Sequence, residues 1–215
     1  MGNIIVALSG GSGAPYALRL LEVLLSSGHA VKVVLSPAAE KILALECDVH
    51  LEGSLMEKQE ALRHALSIEQ VEIGLELYDH RDLAAPISSG SFHTTGMVIV
   101  PCSMGTLGRI AAGISSDLIS RAADVVLKER RKLIVVPRET PLGEIHIRNM
   151  LTVTQAGAVV LPAMPGFYHR PQCVSDLVDM VVSRILDQLG IDNQIFKRWK
   201  GEGVSKFLSI DKDPR

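Results

Sequence analysis

The chain has 215 residues, of which 47% are hydrophobic, 21% charged and 4% aromatic, and its formal net charge at pH 7 is −2. This length suits one substantial domain with a well-buried core. The slight negative charge argues against general attraction to nucleic acid or to an acidic membrane surface, and the few aromatic residues argue against a platform that stacks nucleic-acid bases.

The N-terminal half begins with a predicted strand, a glycine-rich turn and a helix. Residues 4–8 are an apolar run, Ser9-Gly10-Gly11-Ser12-Gly13-Ala14 is the turn, and residues 15–25 have helical spacing. Further along, the pattern predicts a strand at 30–35, a short helix at 38–47, a surface helix with loops at 52–73 and a short strand at 75–80.

The C-terminal half continues the alternation of strands and helices. We predict strands at 97–101, 133–137 and 158–162, and helices opening at the turn 102–107 and covering 117–131, 145–156 and 174–189. This order predicts an α/β fold, a three-layer αβα doubly wound parallel sheet of Rossmann-like or flavodoxin-like type. Residues 1–192 are expected to form a single domain, and 193–215 a tail whose first part packs near the site.

The cysteines and the N-terminus indicate a cytoplasmic protein. Cys47, Cys102 and Cys173 form no C-x-x-C pair, which favours a reducing compartment and argues against a thiolate zinc site. The N-terminus lacks a basic segment, and no apolar run has the length of a membrane span. We therefore expect no membrane attachment.

The turn Ser9–Ala14 predicts a phosphate-binding site, because its N–H groups lie at the positive end of a helix dipole. A dinucleotide is disfavoured. Tyr16 stands where the third glycine of the dinucleotide fingerprint belongs, and the second strand ends at Ser36 where an acidic residue would grip the ribose. No Gly-Lys-Ser/Thr follows, which argues against a P-loop.

Two other interpretations of this turn remain open. It is also compatible with a tight connection that holds no ligand. Gly10-Gly11-Ser12-Gly13-Ala14 nearly matches the G-x-S-x-G elbow of hydrolases, in which Ser12 would be an acyl nucleophile. Against a hydrolase, the final residue is Ala14, and this elbow follows the first strand instead of a later one.

A second small-residue turn, Cys102–Thr106, favours flavin mononucleotide (FMN) as the ligand. Both turns offer N–H and hydroxyl donors without fixed charge, and Arg121 on the next helix could add charge. Ser103 and Thr106 are equally typical of ordinary helix caps.

Charged residues follow the later strands. Arg138-Glu139 comes directly after the strand at 133–137, and Tyr168-His169-Arg170 follows the last strand. Cations that converge there would hold a second phosphate, although Lys128–Arg131 also fits a solvated helix end. The spacing of the histidines fits no metal site, so we expect no metal.

Six segments, taken together and in this order, resemble the UbiX/Pad-type flavin prenyltransferases, from about Asn3 to Trp199. They are Ser9–Ala14, Pro101–Leu107, Arg121–Asp124, Lys128–Arg131, Pro137–Pro141 and Pro162–Tyr168. The resemblance implies a metal-independent enzyme that transfers a dimethylallyl group from dimethylallyl monophosphate to N5 and C6 of reduced FMN. It further implies a homododecamer with active sites between subunits, and a product used by a UbiD-type decarboxylase.

The resemblance also implies roles for individual residues. The expected FMN-binding residues are Gly10, Gly11, Ser12, Ser36, Ser103, Met104, Gly105, Thr106 and Arg121. The expected residues of the prenyl-phosphate pocket are Lys128, Arg138, Glu139, Tyr168, Arg184 and Trp199. The expected catalytic residues are Ser12, Glu46, Lys128 and Glu139, with Glu46, Glu139 or the departing phosphate handling the protons.

Two alternatives to this function remain. The related FMN-dependent cysteine decarboxylases are expected to carry an Asn where this chain has Pro165, and that Asn grips the substrate carboxylate. A non-catalytic flavin-binding protein would not need the cationic second pocket. One departure from the family is Gly11, where many members carry Ala.

Overall fold

In this computed structural model, which describes residues 2–67 and 74–199, six parallel strands form one sheet in the order β3-β2-β1-β4-β5-β6. The chain builds outward from β1 to β3 and then returns across β1 to add β4. The direction of the winding therefore reverses between β1 and β4, where doubly wound sheets bind their ligands. The strands are β1 Asn3–Leu8, β2 Ala30–Leu35, β3 Leu75–Asp79, β4 Gly96–Cys102, β5 Lys132–Pro137 and β6 Val159–Val160.

Helices connect the strands, and several of them begin at a capping Ser or Asp. Ser36, Ser54 and Asp117 each cap a helix by accepting a hydrogen bond from a backbone N–H of its first turn. The helices are α1 Ala14–Ser26, α2 Pro37–Cys47, α3 Leu55–Ala65, α4 Met104–Ala111, α5 Leu118–Lys128, α6 Glu144–Gln155 and α7 Val174–Leu189, with a short 3-10 helix at Pro86–Ser88.

Alternate residues of β1 face the two helical layers. Ile4, Val6 and Leu8 pack with α1 and α7, while Ile5 and Ala7 pack with α4 and α5. All five side chains are buried, as in a parallel sheet covered on both faces. The predicted three-layer αβα architecture is confirmed.

Some boundaries differ from the prediction. The helix predicted to reach Arg131 ends at Lys128, and Arg130 takes a left-handed conformation with φ 56°. The last strand has only two residues because the chain leaves the sheet after Val160. Of the region predicted at 52–73, residues 55–65 are helical, and 68–73 lie outside the described residues. No helix among the described residues is long and apolar enough to cross a membrane.

Candidate functional site

Ser9 joins the two small-residue turns at the reversal point of the sheet. Its side chain is buried, and its Oγ donates to the carbonyl of Pro101 at 3.0 Å and accepts from the N–H of Ser103 at 2.7 Å. The backbone N–H of Ser9 donates to the same carbonyl at 3.1 Å. The end of β1 and the start of α4 are thus held together as one surface.

The three glycines of the first turn have different reasons to be glycine. Gly13 has φ 125°, a conformation that L side chains rarely adopt. A Cβ on Gly10 would lie 2.6 Å from the Cβ of Ala38, so α2 could not approach the turn closely. A Cβ on Gly11 would lie 3.4 Å from the Cβ of Pro101, an ordinary contact, so the structure accommodates the alanine that many family members carry.

The N-terminus of α1 already holds an anion, the carboxylate of Glu46 from α2. Its Oε2 accepts from the N–H groups of Gly13 and Ala14, both at 2.8 Å. Partial burial raises the pKa of Glu46, but the Ser12 hydroxyl, the two N–H groups and Arg138 together outweigh it and lower the pKa. The N–H groups of Gly13 and Ala14 are therefore occupied by a side chain, and phosphate binding by this turn stays a prediction for Gly10, Gly11 and Ser12.

Arg138 lies beside this turn, and Glu139 follows it after the end of β5. The Nε of Arg138 donates to the carbonyl of Ser12 at 3.2 Å, and its positive charge also acts on Glu46 and Tyr16. Glu139 accepts from the N–H of Thr140 at 3.0 Å. The structure thus brings Ser12, Glu46 and Arg138 together.

Helix capping accounts for some of the hydrogen bonds in the second small-residue turn, Cys102–Thr106. Ser103 caps α4 by accepting from the N–H of Thr106 at 3.3 Å, and its hydroxyl donates to the Thr106 hydroxyl at 3.1 Å. Met104 and Gly105 form the first turn of α4, where N–H groups lack intrahelical partners. A Cβ on Gly105 would meet no atom within 4 Å, so this helix end is open.

Ser36 and Arg121 make contacts of their own. Ser36 caps α2 by accepting from the N–H of Ala39 at 3.1 Å. The guanidinium of Arg121 donates to the carbonyl of Ser88 at 3.2 Å and to Asp124 at 2.8 Å. Arg121 therefore binds the Pro86–Ser88 helix and its own helix, and these contacts do not involve the glycine-rich turn.

Lys128 lies at the opposite edge of the sheet from this site. It ends α5, four residues before β5 begins at Lys132, so it stands at the amino edge of the parallel strands. There its ammonium pairs with Glu129 and borders Gly90, which precedes β4. Within one copy of the chain, Lys128 is not brought to Ser12 and Arg138.

Tyr168, Trp199 and Arg184 form a separate group beside β6. The ring of Tyr168 meets the rings of Phe196 and Trp199 edge to face, with centroids 6.0 and 5.9 Å apart. Arg184 and Gln188 line a cavity of about 360 Å³ together with apolar side chains, among them Leu161 and Met180. Arg184 supplies this cavity with a cation that suits a phosphate.

The sequence analysis did not identify two residues, Ser9 and Asp187, as part of a site. Ser9 was noted only as part of the turn, although a polar residue that ends a buried strand is a signal for a structural hydrogen bond. Asp187, which accepts from Arg184 and Arg198, carries no signal in the sequence because its partners come from different segments.

Comparison with known proteins identifies the family of this chain. A family model described as Flavoprotein matches residues 2–186. The flavin prenyltransferase UbiX of Thermoplasma acidophilum is 50% identical over 197 residues, which cover 92% of this chain and 99% of the relative. The chain belongs to the UbiX family of flavin prenyltransferases. The resemblance drawn from the six segments is confirmed.

Solved UbiX structures share the whole fold. The structure of AnUbiX (PadA1) in complex with FMN and dimethylallyl pyrophosphate has a TM-score of 0.84 at 42% identity, covering 94% of this chain and 99% of that one. The dodecameric FMN-dependent UbiX-like decarboxylase of Escherichia coli O157:H7 has a TM-score of 0.80 at 40% identity, covering 93% and 100%. The UbiX family and the fold are therefore established together.

Across the residues that the structure describes, no group of three or more His, Cys, Asp or Glu side chains is arranged to hold a metal ion. The cations beside the turn and beside β6 are arginines, which suit phosphate groups.

Proposed function

We propose that this chain transfers a dimethylallyl group from dimethylallyl monophosphate to N5 and C6 of reduced FMN, and so makes prenylated FMN. The observation that carries the proposal is the hydrogen bond from Arg138 to the backbone carbonyl of Ser12, which sets a cation beside the reversal point of the sheet. Family membership supports the same reaction.

The residues at the reversal point fit FMN. The open amino end of α4, at Met104 and Gly105, is suited to a phosphate. The hydroxyl of Ser36 and the backbone N–H groups of Gly10 and Gly11 supply uncharged donors for the rest of the cofactor, and the oxygen of Ser12, whose proton goes to Glu46, supplies an acceptor. Reduced FMN supplies the nitrogen and carbon that accept the prenyl group. In this arrangement Glu46 keeps the α1 N-terminus occupied and leaves α4 as the free anion site.

We assign Arg138, together with Arg184 of the separate group beside β6 in a neighbouring copy, to the phosphate of the second substrate. As the bond between the allylic carbon and the phosphate oxygen breaks, negative charge grows on the phosphate, and guanidinium groups stabilise it. The π faces of Tyr168 and Trp199 stabilise the allylic carbon as it becomes positive. Glu46, Glu139 or the released phosphate accepts the protons displaced from the flavin.

Lys128 reaches this site from a neighbouring copy in our proposal, since it stands at the opposite edge of its own sheet. The dodecameric state of the Escherichia coli relative supports such an assembly. Exposed apolar residues on α6, among them Ile147 and Leu151, are suited to contacts between copies. We propose a homododecamer whose sites combine residues of different copies.

Anaerobic incubation with FMN, a reductant and dimethylallyl monophosphate tests the reaction by mass spectrometry of the flavin. We expect a product heavier by one five-carbon prenyl unit. Dimethylallyl pyrophosphate, the compound in the AnUbiX complex, is tested separately as the alternative substrate. Unchanged flavin mass with both compounds would overturn the proposal.

Variants of Lys128 and Arg138 test the division of the site between copies. Lys128→Ala and Arg138→Ala should each abolish conversion while FMN stays bound, whereas Lys41→Ala, at an exposed lysine of α2, should retain it. Co-expression of the two inactive variants should restore activity, because random mixing gives about a quarter of the sites both native residues. No restoration in mixed oligomers would contradict the proposal that Lys128 and Arg138 of one site come from different copies.

An FMN-dependent cysteine decarboxylase is the second candidate. The segment after β6 has Pro165 where the Asn of those enzymes is expected, and proline offers no side-chain amide for a carboxylate. We therefore rank cysteine decarboxylation below prenyl transfer. A non-catalytic flavin carrier also ranks below prenyl transfer. Release of CO₂ from a peptide with a C-terminal cysteine would reverse the ranking.

A UbiD-type decarboxylase is the proposed user of the product. Its activity, measured with and without the prenylated flavin made by this chain, tests that assignment. We further propose that the reaction takes place in the cytoplasm, which the three free cysteines support.

A further inference from the structure

One carboxylate near the end of α7 binds two separate parts of the proposed substrate site. Asp187 Oδ2 accepts from Arg184 Nη1 at 2.9 Å and from Arg198 Nη1 at 3.0 Å. Its Oδ1 accepts from Arg198 Nη2 at 2.6 Å and from Asn193 Nδ2 at 3.2 Å. Arg198 therefore binds the carboxylate with both nitrogens of its fork, the arrangement that fixes geometry best.

These bonds fold the segment after α7 back onto the helix. Asn193 adds a second attachment, because its Oδ1 accepts from the buried hydroxyl of Ser183 at 2.7 Å. The folded segment carries Phe196 and Trp199 to the ring of Tyr168, and Phe196 also meets His169 with centroids 4.7 Å apart. The position of Trp199 therefore depends on bonds made at Asp187.

The charges of this group have a direct consequence for Arg184. Arg184 and Arg198 both contact Asp187, whose side chain is 19% exposed, so the two guanidinium groups stand close together. Without the carboxylate they would repel each other, and Arg184 would lose the partner that sets its direction. With the carboxylate, one net positive charge remains for a phosphate. The Arg198 hydrogen bonds lower the pKa of Asp187, so the carboxylate is ionised at neutral pH.

We propose that Asp187 is a positioning residue of the isoprenoid-phosphate site, orienting Arg184 and holding the segment 191–199 so that Trp199 lies against Tyr168. This inference rests on the proposed function, in which Arg184, Tyr168 and Trp199 bind the prenyl phosphate. Asp187 itself touches neither substrate nor cofactor in this assignment and acts through its two arginine partners.

Trp199 gives a readout that does not need the reaction, since the chain has a single tryptophan. In FMN-free protein, Asp187→Asn should shift the tryptophan emission to longer wavelength and increase its quenching by acrylamide, because the segment is no longer held. In the reaction, the KM for dimethylallyl monophosphate should rise about tenfold, the change expected for the loss of one charge-assisted hydrogen bond, while the Kd of FMN changes less than about twofold. Asp187→Glu, which keeps the negative charge, should change the tryptophan emission and the KM less than Asp187→Asn does.

Three further variants separate the two functions of Asp187. Arg198→Gln should move the tryptophan emission and raise KM less than Asp187→Asn does, and Arg184→Gln should raise KM without moving the emission. Glu60→Gln, which removes an equivalent helix pair with Arg63 on α3, is the matched control and should change neither quantity.

The inference would be overturned if Asp187→Asn left the tryptophan emission maximum unchanged and the KM within twofold of the native value. Equal effects from Glu60→Gln would overturn it as well. If the native protein makes no prenylated flavin, the proposed function fails, and the Arg184 part of the inference fails with it. The fluorescence of the FMN-free protein still decides the part that concerns the segment 191–199. The two failures are therefore distinguishable.

Discussion

The carboxylate of Glu46 accepts hydrogen bonds at 2.8 Å from the backbone N–H of Gly13, a residue 33 positions earlier in the chain. The neighbouring Ala14 N–H makes the same contact. A helix N-terminus attracts negative charge, and here a glutamate from α2 provides it. This contact fixes α2 against the glycine-rich turn and decides which helix end is left for a ligand.

Glu46→Gln should make the thermal stability depend less on pH. The pKa of Glu46 is lowered in the folded chain, so its carboxylate stabilises the fold above the ordinary pKa and loses this effect as the pH falls through the lowered value. The difference in Tm between native and variant protein should be largest at pH 6 to 7 and shrink below about pH 4. A difference that stays constant down to pH 3 would contradict the role of the charge.

Gly10→Ala and Gly11→Ala form a matched pair. The alanine Cβ at position 10 would lie 2.6 Å from the Cβ of Ala38, so we expect a loss of about 1 to 3 kcal/mol in the free energy of unfolding and weaker FMN binding. At position 11 the nearest atom is 3.4 Å away, so stability and FMN binding should stay close to native. Denaturation and FMN titration of both variants check this, and equal effects would contradict it.

Ser9→Ala should destabilise the connection between the two turns. The Ser9 hydroxyl satisfies the buried carbonyl of Pro101 and the N–H of Ser103, and its removal leaves that N–H without its acceptor. We expect a loss of about 1 to 3 kcal/mol, measured by denaturation. Ser67→Ala, at an exposed serine after α3, is the control and should change the stability by less than about 0.5 kcal/mol.

The cysteines should differ sharply in reactivity. Burial raises the pKa of the Cys102 thiol to about 12, so almost none of it is thiolate at neutral pH, whereas Cys173 is exposed. With iodoacetamide at pH 8, Cys173 should be alkylated more than about a hundredfold faster than Cys102. Peptide mass spectrometry gives the two rates, and unfolded protein, in which they should become similar, is the control.

Much of the fold follows from local sequence pattern. Apolar runs such as 4–8 and 97–101 and the helical spacing at 15–25 predicted the alternation of strands and helices, and the structure confirms the doubly wound sheet. Strand ends were also predictable, since small residues and prolines mark them. Together these patterns predicted the edge of the sheet where Ser12 and Arg138 meet.

Contacts between distant segments were decided by the tertiary structure alone. Ser9 reaches Pro101, 92 residues away, because β1 and β4 are neighbours in the sheet. Lys128 stands at the opposite edge because α5 runs back toward the start of β5. A helix or strand is encoded by the periodicity of nearby residues, whereas the partner of a charged side chain depends on which elements become neighbours. The sequence by itself therefore determined the fold class, the family and the glycine-rich turn, and the packing of the elements determined that Glu46 occupies the helix end which that turn forms.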